Sequence, residues 1–157
     1  MLRSFNNKEA VADSIESFEI SADNSVFLTV NGVLYSKDGS VLIAYPKSKT
    51  EDSFTLPNTV TMISNQAFCD TVNLVTLTID HKVTICDKAF HNCVNLQNLV
   101  FTGSGVSLFI GSQTFVDCAL ENSVTSWIPE GTIEGYKNSV IEDITLYSKF
   151  REGTPDS

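Results

Sequence analysis

His81, Cys86, His91 and Cys93 crowd one short stretch of the chain, and thiolate with imidazole is the ligand chemistry of zinc. A structural zinc site draws four convergent ligands from short paired spacings such as C-x₂₋₄-C. Neither C-x-x-C nor H-x-x-x-H occurs here, so no metal site is expected. Cys93 and Cys118 read instead as buried small hydrophobes in equivalent turns. Cys69, Cys86, Cys93 and Cys118 allow three disulfide pairings, and free thiols are favoured because the chain lacks the character of a disulfide-dense scaffold.

Catalytic groups are equally sparse. His81 and His91 are the two imidazoles, and Asp80-His81 has no matched nucleophile motif of the kind a Ser-His-Asp set requires. No G-x-S-x-G, P-loop or dinucleotide fingerprint is present. Glu51-Asp52 and Glu142-Asp143 read as solvated loop charges, since acidic residues are mostly exposed. No enzyme activity and no cofactor are expected.

What remains is an architecture that must position a binding surface. The 157 residues fit one domain. With 42% hydrophobic and 18% charged residues the composition is globular. A chain of this size buries roughly 70% of its unfolded surface. The formal charge of -9 speaks against nucleic acid and anionic membrane, because both call for a basic surface. No apolar run approaches the roughly 20 residues of a membrane helix. The N-terminal segment through Ser25 carries Glu9, Asp13, Glu16, Glu19 and Asp23 and no apolar stretch of a secretory signal.

The chain repeats itself. Ile63, Ala67, Phe68, Val72, Asn73, Leu74 and Leu77 recur one repeat later as Ile85, Ala89, Phe90, Val94, Asn95, Leu96 and Leu99. Ile79 meets Phe101 in the same shift, and a third copy begins after a slightly longer step, at Ile110 with Thr114-Phe115. Gly103-Ser104-Gly105 accounts for the longer step. Such periodicity marks a solenoid, where each coil offers the same apolar set to its neighbours. Leu77-Ile79 and Leu99-Phe101 alternate like short strands. Val60-Ile63 and Val83-Ile85 are β-branched and form a second strand per coil. Asn65–Asp70 and Asp87–Asn92 fit single helical or 3₁₀ turns. Phe68, Phe90 and Phe115 are expected to stack as an interior ladder. A degraded copy precedes these, where Ile15, Phe18 and Ile20 repeat the spacing of Leu74, Leu77 and Ile79.

These residues resemble the BspA-like leucine-rich repeat family. The family pattern is followed by Phe54-Thr-Leu-Pro through Ala67-Phe68 and Asn73-Leu74, with Thr71, Cys93 and Cys118 at its small position. Its glycine is kept as Gly111 and replaced by Ser64 and Cys86. Asn31 to Pro46 resembles a hairpin that such proteins insert before an array, with a tight turn at Lys37-Asp38-Gly39-Ser40. Pro129 to Lys137 resembles their closing segment, in which Thr132 would cap a short helix.

The expected fold is therefore α/β to mainly β: a right-handed leucine-rich-repeat solenoid of short strands and single helical turns. Residues 1–150 form a single domain. Within it, 1–25 are a partial repeat or N-terminal cap, 26–53 the hairpin and a polar loop, 54–128 about three repeats, and 129–150 a C-terminal cap. Val140-Ile141 and Ile144-Leu146 would cover the open end, and 151–157 form a flexible tail. For the front, two readings stand: a capping helix over Lys8 to Ala12, or a truncated longer array.

Solenoids bind through aligned outward residues. Alternation gives Ser17, Glu19 and Ser21, then Thr76, Thr78 and Asp80, then Asn98, Val100 and Thr102. Trp127 follows, set outward beside Val100 as an interface anchor, unless the hairpin or C-terminal segment covers it. The resemblance implies a non-catalytic protein-interaction module in surface adhesion or recognition, cell-surface or secreted. Its partner would be a host or cell-surface protein, or a glycan, with no nucleic acid and no membrane insertion. A structural spacer or intracellular scaffold is the alternative. An uncapped end leaves an end-to-end homodimer open.

Overall fold

The computed structural model describes residues 2–5, 14–103, 109–114, 125–137 and 150–155. Strands β1 (Leu2–Phe5) and β2 (Ser17–Ile20) pair antiparallel as a sheet of their own. β3 (Phe27–Val30), β4 (Val33–Ser36) and β5 (Val41–Ala44) form an antiparallel meander. From β6 to β12 the chain then alternates between two parallel ladders. One holds β6 (Ser53–Thr55), β8 (Thr76–Ile79), β10 (Asn98–Phe101), β12 (Thr125–Ile128) and β13 (Phe150–Glu152). The other continues from β5 through β7 (Met62–Ile63), β9 (Thr84–Ile85) and β11 (Phe109–Ile110).

Both ladders feed one apolar core. Leu77, Ile79, Leu99, Phe101 and Ile128 come from the first, and Leu42, Ile63, Ile85 and Ile110 from the second. The strand alternation explains this, since every second side chain of each rung points inward. The repeat read from the sequence appears directly as register: Thr76 faces Asn98, Leu77 faces Leu99 and Ile79 faces Phe101.

Among the described residues, the turns that join the ladders are not helical. Ala67, Cys69 and Thr71 donate to Ser64, Gln66 and Phe68, the same short step back each time. Gln66 and Asp70 have φ of 58° and 61°, and Lys88 and Asn92 repeat this at 56° and 56°. Left-handed residues break a helix after each turn, so the segment coils as a string of turns. This replaces the expected single helical or 3₁₀ turn. It still delivers Phe68 and Phe90 to the same place, both fully buried with ring centroids 5.1 Å apart. Phe115 lies outside the described residues, as do Cys118, Lys8 to Ala12 and the Val140 to Leu146 cover.

The aromatic ladder starts one coil earlier than expected. Tyr45 stacks on Phe68 with centroids 4.9 Å apart. Its N–H donates to Ala67, as Phe68 donates to Ala89 and Phe90 to Thr114. The hairpin is thus the first coil of the solenoid, and β5 is the first rung of the second ladder. Asp38 locks its turn by accepting from Ser36 Oγ and from Ser40 N and Oγ. Those three donors hold its carboxyl at about 2.

Three expectations at the ends are corrected. The degraded copy does not join the ladder: β2 pairs with β1, and Phe18 N donates to Gly32 O. No Ala-Phe turn precedes Ile15 to bring that segment round onto a coil, so Ser17, Glu19 and Ser21 are not on the ladder face. Arg151 and Glu152 are not a tail but belong to β13, parallel to β12, with Phe150 buried beneath. Helix α1 (Ile133–Lys137) forms as expected, yet Thr132 Oγ1 donates back to Pro129 O. Ile133 N is capped instead by Glu152 Oε1 at 3.1 Å. Tyr136 of α1 closes the core between Phe101 and Phe150, with centroids at 5.6 and 6.0 Å.

Candidate binding face

Parallel pairing stacks the outward residues of the first ladder into rows. Ser53, Thr76, Asn98 and Thr125 form one row. Thr55, Thr78, Val100, Trp127 and Arg151 form the next. Asp80 and Thr102 sit exposed just past the ends of β8 and β10. Thus, of the expected residues, Thr76, Thr78, Asn98, Val100 and Trp127 share two adjacent rows, and Asp80 and Thr102 lie at their margin. Ser53, Thr55, Thr125 and Arg151 complete the rows. The signal for Thr55 was its place one repeat before Thr78, and for Arg151 its place one repeat after Trp127.

The face has internal structure. Trp127 Nε1 donates to Asn98 Oδ1 at 3.1 Å, and Asn98 Nδ2 donates to Thr76 Oγ1 at 3.4 Å. The indole therefore reaches diagonally across β10. Val100, expected as an open contact residue, is only 9% exposed. Trp127 is half-buried rather than fully outward, because its polar edge is tied down.

A second polar ladder runs along the turns. Lys47 Nζ lies 3.0 Å from Asp70 Oδ2, and Asn92 Nδ2 donates to Asp70 Oδ1 at 2.8 Å. The Asn92 amide, and then the Lys47 ammonium, hold the Asp70 carboxyl below the usual carboxylate range. Asn73 donates to Lys49 O and Asn95 to Val72 O, each tying its coil to the preceding one.

The described His and Cys residues do not converge. His81 bridges Asp80 Oδ1 and Val60 O at 2.6 Å each. Cys93 is buried, accepting from Thr71 Oγ1 and donating to Phe68 O. Burial, then Asp87, pushes the half-buried Cys86 thiol up. Among the described residues no three of His, Cys, Asp and Glu come together as a metal site. Among them, too, no helix is long and apolar enough to cross a membrane.

A family model described as BspA type Leucine rich repeat region matches residues 44–152 in 6 copies, well over half of the chain. Its start at Ala44 coincides with the Ala44-Tyr45 coil. No curated protein matches. Three solved structures are similar. The pneumococcal vaccine antigen PcpA is 16% identical over 85% of this chain and 49% of its own, with a TM-score of 0.45. A leucine-rich repeat protein from Eubacterium ventriosum is 22% identical over 74% and 42%, with a TM-score of 0.49. A leucine rich cell surface protein from Faecalibacterium prausnitzii is 18% identical over 77% and 44%, with a TM-score of 0.37. The chain spans under half the length of each of these structures.

Proposed function

The chain belongs to the BspA-type leucine-rich repeat family, and from that premise we propose that it is a non-catalytic protein-interaction module used in surface adhesion or recognition. The family's repeat architecture supports protein interaction in general. The contact surface in this reading is the ladder face of Thr76, Thr78, Asn98 and Trp127, flanked by Asp80 and Thr102.

One observation carries the choice of face: the hydrogen-bond chain Thr76–Asn98–Trp127 across three strands. It holds an aromatic side chain in one orientation on an otherwise polar, rigid surface. A pre-set aromatic anchor loses little freedom on binding, which is the advantage that interface tryptophans offer. Hydroxyl and amide groups around it supply adaptable hydrogen bonds.

The test is capture of surface proteins by immobilised protein, wild type against Trp127→Ala and Thr78→Glu. Both variants are expected to stay folded, Trp127→Ala with a loss of about 1 kcal/mol for its hydrogen bond to Asn98, and to lose the captured protein. Capture retained by both folded variants would remove this face from the reading.

A further inference from the structure

β6 ends its sheet, so one of its edges has no neighbouring strand among the described residues. Asp52 O and Leu56 N both turn toward β8, where they bond Val75 N, Thr76 N and Thr78 O. By strand alternation the N–H and C=O groups of Ser53 and Thr55 turn the other way. Both residues are exposed. Along this edge runs a groove of about 530 Å³. It is lined by β6 together with Asn31, Tyr45, Lys49 and Glu51. Tyr45 is only 3% exposed, and its hydroxyl is buried with no hydrogen-bond partner among the described residues.

We infer that the free edge of β6 accepts an added strand, an extended peptide of alternating aliphatic and hydroxyl residues lying parallel to β6 as β8 does on its other side. Edge strands with unpaired backbone groups are templates for such addition. The alternation follows from the rungs themselves. Next to β6, β8 sets Leu77 inward beside Phe54 and places Thr76 and Thr78 outward beside Ser53 and Thr55. A strand in the mirrored place sets its aliphatic residue over Phe54 and Tyr45, in the groove. Its hydroxyls then extend the rows of the ladder face. Glu51 and Asp52 against Lys49 leave this rim acidic on a chain of net charge -9, so the strand that fits carries basic residues at its N-terminal end. This edge lies at the far end of the sheet from β13, with β8 and β10 between β6 and the strand that carries Trp127.

The probe is a synthetic peptide with the sequence of residues 74–79 behind two lysines, added to the full chain. Saturable binding with a micromolar Kd is expected, with amide NMR shifts centred on Ser53 and Thr55. A probe N-methylated at the amides that face β6 should bind at least about tenfold more weakly. Ser53→Pro removes one outward donor and should cause a similar loss. The methylated probe decides the matter without any variant. No saturation by about 1 mM, equal affinity of the methylated probe, or shifts centred on Trp127 would each overturn the inference. So would self-association of the chain that Ser53→Pro abolishes, since the edge would then belong to a second copy.

Discussion

Trp127 is paired in register with Val100, yet its indole N–H is held by Asn98, at the start of the same neighbouring strand. The ring therefore leans across β10 instead of standing away from it, and Val100 in the same row is only 9% exposed. The shape of the ladder face follows from one amide side chain that both accepts from the indole and donates to Thr76.

Asn98→Ala should free the indole. Trp127 is the single tryptophan of the chain, so its emission reports the change directly. A red-shifted maximum and stronger quenching by iodide are expected, with a stability loss of about 1 kcal/mol for the lost hydrogen bonds. An unchanged spectrum would mean that packing alone orients the ring.

The aromatic ladder predicts two opposite effects. Phe68 is fully buried between Tyr45 and Phe90, so Phe68→Ala should cost about 3–5 kcal/mol through the cavity left behind. Tyr45→Phe keeps the stack and removes a buried hydroxyl without a hydrogen-bond partner among the described residues. Leaving such a group unsatisfied costs about 1–3 kcal/mol, so this variant should gain about 1 kcal/mol in urea unfolding. A loss on Tyr45→Phe would show that the hydroxyl is satisfied in solution.

The coils between Phe54 and Phe101 were legible because identical residues recur at one spacing, and spacing is what register preserves. Tyr45 escaped because its coil is closed by a hairpin, so only Ala44-Tyr45 survives of the repeat. β13 escaped because Phe150-Arg151 keeps the ladder's step from Ser126-Trp127 but not its leucine pattern. Ile15 to Ile20 misled for the converse reason, since it keeps the pattern without a turn to deliver it. The left-handed residues Gln66, Asp70, Lys88 and Asn92 could not be read, because none is a glycine. Val100 reads as outward by alternation, yet it is only 9% exposed, a burial that alternation does not encode.

Asp70 links stability to acid. Its carboxyl is held low chiefly by Asn92, then by Lys47. A carboxylate depressed in the folded state stabilises the fold above its unfolded pKa of about 3.9. That contribution is lost as pH falls through the lower folded value. Asn92→Ala should raise the Asp70 titration midpoint, followed by carboxyl NMR, and move acid unfolding to higher pH. Titration of Asp70 unaltered by the substitution would place the cause elsewhere.

Gly111 occupies the position held by Ser64 and Cys86 in the preceding coils, and the structure gives a reason for the difference. A Cβ built there would overlap Asp87 Oδ1 and stand 2.7 Å from Asp87 N. The same Oδ1 accepts from Ser112 N at 2.7 Å, so Asp87 cannot swing aside without breaking a bond between coils. The close approach to its backbone remains even then. Gly111→Ala should therefore destabilise by about 1–3 kcal/mol, the usual range for overpacking. Gly135 is the matched control, because a Cβ there meets nothing within 4 Å and the residue lies in α1. Gly135→Ala should stabilise by about 0.5–1 kcal/mol through helix propensity. Opposite shifts of the urea midpoint are the expected outcome, and equal shifts would refute the crowding of Gly111 against Asp87.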